Sequence, residues 1–176
     1  MQSWDRPSPD DYASDFAIYL AVAPADGSIL DHLKAQGSEV LHLMRGLDVE
    51  AAERRYAPGK WSVKELIGHL IDTERVFIQR ALWFARGGAD TLPGMEEDVW
   101  AAAAGSHRRP LTDLWREYHV ARIDHLYLLR SLPAEAVGRR GTAGGRVMSV
   151  RAVPWIIAGH ERHHLQVLRE RYGLSW

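Results

Sequence analysis

Apolar residues recur at helical intervals along four stretches of this chain, and nowhere do they alternate as a half-buried strand requires. The first stretch, Ile29 to Leu47, carries Ile29, Leu33, Val40, Leu43, Met44 and Leu47, and Gly46, Pro58 and Gly59 punctuate its exit. The second has the clearest start signal. Ser62 followed three residues on by Glu65 reads as a capping box, and Gly87-Gly88 closes the run. Between these ends Val63, Leu66, Ile67, Leu70, Phe77, Ala81, Phe84 and Ala85 form one stripe. A third helix is predicted after Pro110, with Leu114, Tyr118, Ala121, His125, Leu128 and Leu129 at helical intervals. The last is predicted to begin at Ser149 or shortly after and to run to Tyr172, with Pro154 bending the helix or delaying its start.

Two segments fall outside these stripes. Ala89 to Arg109 reads as a connector with one short helix around Glu96 to Ala104, and Gly138 to Gly145 reads as a loop rich in glycine and arginine. Four helices of roughly 20 residues with a longer link between the second and third predict an all-α protein, a four-helix bundle. That link is long enough for a crossover, so simple up-down-up-down order is not required. Residues 1–24 form a Pro- and Asp-rich lead-in, and residues 25–176 form one helical domain.

Composition narrows the function classes. With 176 residues and 46% apolar content, the chain can bury one substantial core. Lys and Arg number 22 against 23 Asp and Glu, a net charge of -1, which argues against nucleic acid or an anionic membrane as partner. The start Met1-Gln2-Ser3-Trp4-Asp5-Arg6-Pro7 lacks the basic residues and apolar run of a signal peptide, and no stretch approaches 18 apolar residues; a cytoplasmic protein is expected. There is no cysteine, so any metal site must be built from His, Asp, Glu and water.

Histidine is the residue that stands out, with nine copies. His160 and His164 lie one helical turn apart and can point both imidazoles at one ion. On the last helix Val153, Ile156, Ile157, Val167 and Leu168 define the apolar stripe; both histidines fall near its middle, and His163 lies toward one edge. Imidazoles buried there need partners, a demand that a metal or ordinary hydrogen bonds can meet. A metal with open positions takes about three protein ligands, and His69 could supply the third. His69 sits at the flank of its own stripe, roughly 100° from the centre, so periodicity leaves it undecided between ligand and half-exposed helix residue. Glu65, Asp72 and Thr73 lie one turn from His69 and could orient its ring, although Glu65 also serves as cap and Asp72 reads as solvated. Glu161 points about 100° away from the ligand face and is not nominated as a base. His32, His42, His107, His119 and His125 have no matched partner and read as surface or core residues. Trp61, Trp83, Trp115 and Trp155 read as core fillers.

The run Lys60-Trp61-Ser62-Val63-Lys64-Glu65-Leu66-Ile67-Gly68-His69-Leu70-Ile71-Asp72-Thr73-Glu74 resembles the second-helix signature of the DinB/YfiT-like superfamily. The ending Ile157-Ala158-Gly159-His160-Glu161-Arg162-His163-His164 resembles its last-helix H-x3-H, and Arg130-Ser131-Leu132-Pro133 and Gly141-Thr142 sit where that family has similar segments. The likeness spans roughly residues 25 to 172. It implies a four-helix bundle, often a homodimer, in which His69, His160 and His164 bind a divalent metal, zinc with nickel and iron as alternatives. Since the family includes enzymes that use low-molecular-weight thiols, it also implies a metal-dependent transferase conjugating such a thiol to an electrophile. Arg139, Arg140 and Arg146 could then meet the carboxylates of the thiol. The alternatives are a metal-dependent hydrolase that activates water, and a non-catalytic helical binding or stress-response module.

Overall fold

The computed structural model describes residues 4–26, 28–88 and 90–176; Met1–Ser3 of the lead-in, Gly27, and Ala89 at the start of the connector lie outside the described residues. In chain order the regular elements are α1 (Ala17–Val22), α2 (Ile29–Gly46), α3 (Val49–Glu53), α4 (Val63–Ala85), α5 (Glu97–Ala104), α6 (Leu111–Ser131), α7 (Ala134–Val137), β1 (Arg140–Ala143), β2 (Arg146–Ser149) and α8 (Ala152–Glu170), with short 3-10 turns between some of them. The helices α2, α4, α6 and α8 form the bundle. Each of α2 and α4 packs on both α6 and α8.

The capping box at α4 forms as the sequence predicts. The Ser62 hydroxyl accepts from the Glu65 amide at 3.2 Å, and the Glu65 carboxylate accepts from the Ser62 amide at 2.7 Å. The core contacts set the directions of the helices. Val63, Leu66 and Leu70 of α4 pack in one cluster with Leu114 and Tyr118 early in α6, and Phe77, Ala81 and Phe84 in another with Leu126 and Leu129 late in α6, so α4 and α6 run in the same sense. Parallel neighbours need a crossover, and residues 86–110 supply it, carrying α5 across one side of α4. The first half of α4 is buried almost all round, and His69 is buried there although it lies off the centre of its stripe, its ring against Trp61 and the α8 histidines.

One expectation changes. Gly138 to Gly145 reads as a loop in the sequence, yet residues 140–149 form an antiparallel β-hairpin in which Arg140 pairs with Ser149 and Ala143 with Arg146. Strands of four residues are too short to display alternation, but Gly144 and Gly145, both at positive φ (57° and 76°), make the two-residue turn that such hairpins favour. At the other end of the hairpin, α8 starts at Ala152, shortly after Ser149 as the sequence predicts, and the Ser149 hydroxyl accepts from the Ala152 amide at 3.1 Å. That start puts Pro154 in the first helical turn, where an amide has no intrahelical partner to lose. The lead-in contributes Trp4, Phe16 and Leu20 to the core, and α1 packs along α8. No helix among the described residues is long and apolar enough to cross a membrane.

The core is divided across the bundle axis. One apolar cluster holds Leu33, Phe77, Leu126 and Ile157; a second holds Val40, Leu70, Tyr118 and Leu165. Between them every bundle helix turns a polar side chain inward: Gln36 on α2, Thr73 and Glu74 on α4, Arg122 and His125 on α6, His160 and Glu161 on α8. Arg122 is the hub. Its guanidinium donates to both oxygens of Glu74 at 2.8 Å, to Glu161 at 2.8 Å and to the Leu33 carbonyl at 2.6 Å. His125 Nδ1 lies 3.0 Å from Glu74, and the Tyr118 hydroxyl donates to Glu161 at 2.6 Å. Gly37 makes room for the arginine, because a Cβ there would sit 3.2 Å from Arg122 Cγ.

Burial pushes the Glu74 carboxyl up, but the Arg122 guanidinium and His125 hold it below the ordinary carboxylate range. With its folded-state value depressed, the stability Glu74 contributes is full above the unfolded value of 4.5 and declines as pH falls below it. Removing the cation strands two buried carboxylates, so Arg122→Met is expected to cost about 3–5 kcal/mol in urea unfolding at pH 7. The loss should shrink below pH 4, where a protonated Glu74 no longer needs the arginine; a loss independent of pH would contradict this account.

Candidate metal centre

His69 reaches the site from the second turn of α4, and His160 and His164 reach it from the middle of α8. His69 Nε2 and His164 Nε2 each lie 3.1 Å from His160 Nε2, and the three ligand atoms all fall within 4.8 Å of one another. His69 and His160 are buried; His164 is partly exposed. The structure thus brings together the three histidines singled out in the sequence. His163 is exposed, with its ring 5.2 Å from that of His164, and stands outside the triad.

The donor set fits a metal ion. A neutral imidazole nitrogen either donates one proton or accepts one, so His160 Nε2 can satisfy only one of its two 3.1 Å contacts. A cation satisfies both. Ligand bonds of about 2.0–2.1 Å at tetrahedral angles bring nitrogens to about 3.4 Å, and right angles to about 2.9 Å, a range that includes the observed spacing. Burial also favours the neutral, ligating form. It lowers His69 to about 4, with the charge of Asp98 partly opposing, and lowers His164 to about 3, with His69 and His163 adding to the effect. Burial, then His164, His69 and His163, push His160 well below the ordinary histidine range.

Of the candidates for orienting His69, Thr73 is the one in contact, its hydroxyl oxygen 3.4 Å from Nδ1. Glu65 is engaged as the helix cap and in an ion pair with Arg55 at 2.6 Å. Asp72 pairs loosely with Arg75 at 3.8 Å. Glu161, next in sequence to a ligand, turns away into the Arg122 hub.

Several neighbours of the site differ from their sequence readings. Of the four tryptophans read as core fillers, Trp155 is fully buried and Trp83 is exposed. Trp61 is partly exposed and lies against the site, its ring 4.7 Å from that of His69. Its place just before the capping serine was the available clue. The hairpin arginines do not reach the centre: Arg139 donates to the Ala85 carbonyl, Arg140 to Asp11 and Arg146 to Asp15. His125, read without a partner, is the buried partner of Glu74.

A cleft of about 530 Å³ opens onto His164. Tyr56, Trp61 and Tyr172 give it aromatic walls, Leu66, Ala102 and Val167 aliphatic ones, and Lys60, Glu65 and Asp98 bring charge to it. Asp98 comes from α5, an element predicted as a short helix, but nothing in the sequence indicated that it would line the cleft with His164.

Comparison with known proteins agrees with this architecture. The model of the DinB superfamily matches residues 32–168. Among solved structures the chain is similar to YfiT from Bacillus subtilis, described as a probable metal-dependent hydrolase with an unusual four-helix bundle topology. The TM-score is 0.71 at 16% sequence identity, covering 84% of this chain and 87% of that one. No curated protein sequence matches the chain.

The triad predicts one divalent ion per chain by elemental analysis after zinc loading and desalting. His69→Ala and His160→Ala should each abolish stoichiometric binding, whereas His163→Ala should retain it. Retention of a full equivalent by His69→Ala would rule out the three-histidine centre. A pH dependence also follows for the metal-free protein. His69 is neutral when folded and takes up a proton near 6.5 when unfolded, so the folded state loses stability as pH falls from 6.5 toward 4. His69→Gln should flatten that decline in urea midpoints measured at pH 7.5, 6 and 5, and an unchanged slope would contradict it.

Proposed function

The chain belongs to the DinB superfamily, and on that footing we propose that it is a divalent-metal-dependent hydrolase of a small molecule with an aromatic or aliphatic portion. The observation that carries this reading is the convergence of three neutral imidazoles at a cleft that is also lined by a carboxylate, Asp98. A divalent ion held by His69, His160 and His164 would supply Lewis acidity toward a carbonyl or phosphoryl oxygen and make water acidic at neutral pH. Zinc suits the all-nitrogen set, and nickel and iron suit it nearly as well.

The residues of the chain divide the remaining work. Asp98 carries negative charge to His69 and lines the cleft beside His164, which suits it to accept a proton from the attacking water. Glu65 lines the same cleft but is tied to Arg55 and to the helix cap. Tyr56 and Tyr172, packed edge to face at 5.1 Å, offer a surface for an apolar substituent. The likeness to YfiT supports hydrolysis as the reaction class. Conjugation of a thiol is less well supported by the cleft. The arginines expected to meet an anionic thiol are paired elsewhere, and among the lining residues Lys60 is the cation available.

The test is a zinc-loaded preparation assayed in parallel on aryl esters and amides and, with a small thiol, on an aryl halide. Hydrolysis without conjugation is expected. Asp98→Asn should lower the hydrolytic kcat by about 10²–10⁴ while keeping its metal, and His164→Ala should lose both. Thiol conjugation without hydrolysis would replace this reading with the transferase.

A further inference from the structure

The matched family segment begins at residue 32, yet the metal centre has a wall that comes from before it. Tyr19, on α1, places its ring edge-on to the ligand His160, with centroids 5.2 Å apart and planes at 80°. The same ring lies 6.0 Å from His163. The approach depends on Gly159, the residue before the ligand: a Cβ there would collide with the Tyr19 carbonyl. Backbone of α1 therefore rests directly on backbone of α8 beside a ligating side chain.

The surrounding segment is fastened to α8 by three further contacts, at Trp155 and Arg162. The Trp155 indole donates to the Trp4 carbonyl at 3.2 Å, and Arg162 donates to the Val22 carbonyl at 3.2 Å. Arg6 donates to the carbonyls of Leu20 and Pro24 and lies over the Trp155 ring. Four attachments to one helix make this segment a brace along α8, and Tyr19 is the part of it that touches a metal ligand.

Resting on the metal reading above, we propose that Tyr19 is a positioning residue of the centre: its ring holds the His160 imidazole in the orientation that turns Nε2 toward His69 and His164. His160 is the middle member of the triad, the nitrogen from which both 3.1 Å contacts radiate, so a swing of its ring would open the whole donor set. Among the described residues the polar contacts of His160 are made through Nε2, to the other two ligands, whereas His69 also has Thr73 beside its Nδ1. Ring packing orients His160: the rings of His69 and His164 lie 5.0 and 4.5 Å away, and the tyrosine ring is the aromatic neighbour from outside the triad.

The experiment measures zinc affinity by competition with a colorimetric chelator, and the visible absorption of the cobalt-substituted protein, for the wild type, Tyr19→Phe, Tyr19→Leu and Tyr19→Ala. Ile18→Ala, at an exposed neighbouring position on the same helix, is the control. Expected are wild-type values for Tyr19→Phe and Ile18→Ala, and zinc binding weakened about 10- to 100-fold in Tyr19→Ala with a changed cobalt spectrum. Tyr19→Leu, which keeps much of the buried volume, should fold even where alanine does not, and should show the altered spectrum. Wild-type affinity and spectrum in Tyr19→Leu or Tyr19→Ala would overturn the proposal. So would an equal loss in Tyr19→Phe, which would assign the effect to the hydroxyl. If the wild type itself binds neither ion, the metal reading fails first and this inference with it.

Discussion

A single guanidinium, that of Arg122, contacts or crosses all four helices of the bundle, and the site inherits its geometry from that tie. Arg122 binds Glu74 on α4, Glu161 on α8 and the Leu33 carbonyl on α2, and fills the space left by Gly37. The two carboxylates are sequence neighbours of the site itself. Glu74 follows Thr73, which contacts His69, and Glu161 follows His160. Sliding α8 by a turn against α4 would pull Glu161 from the arginine and leave charges buried without partners, at a cost that apolar packing alone does not impose. Apolar stripes tolerate small slips; a bidentate ion pair at 2.8 Å does not.

This explains why the bundle has a polar waist. Two apolar clusters supply most of the burial, one on each side, and between them lies a layer holding both the ion network and the histidine triad. The halves of that layer meet opposite requirements. In one, the buried Glu74 carboxylate stays charged through an arginine that compensates it. In the other, burial keeps imidazoles neutral and crowded, a state that a divalent cation relieves. The crossover between α4 and α6 completes the site by laying α5 and its Asp98 over α4.

How much of this was visible in the chain differs from residue to residue. Ser62 and Glu65 marked the start of α4 because a capping box is a local motif, satisfied within four residues. His160 and His164 announced themselves for the same reason, since a spacing of four defines one helix face. His69 could not be settled by its own helix, because the groups that surround its ring, Trp61 and the α8 histidines, lie outside that helix. Arg122 and Glu161 went unnoticed as a pair because each, taken alone, is an ordinary charged residue on an amphipathic helix. The one available signal was that Gln36, Glu74 and Arg122 interrupt their stripes in a buried register. The hairpin at 140–149 was missed because its strands are too short for a period to show, although Gly144-Gly145 carried the turn.

The sequence by itself determined the four long helices, the cap of α4, the apolar faces and the last-helix histidine pair, since each depends on contacts within a turn or two of one helix. Tertiary structure decided which faces meet: the parallel course of α4 and α6, the joining of His69 to the pair, the aspartate lining the cleft, and the brace that sets Tyr19 against His160. These depend on residues dozens of positions apart, brought together by burial of apolar surface and held in register by compensated charge.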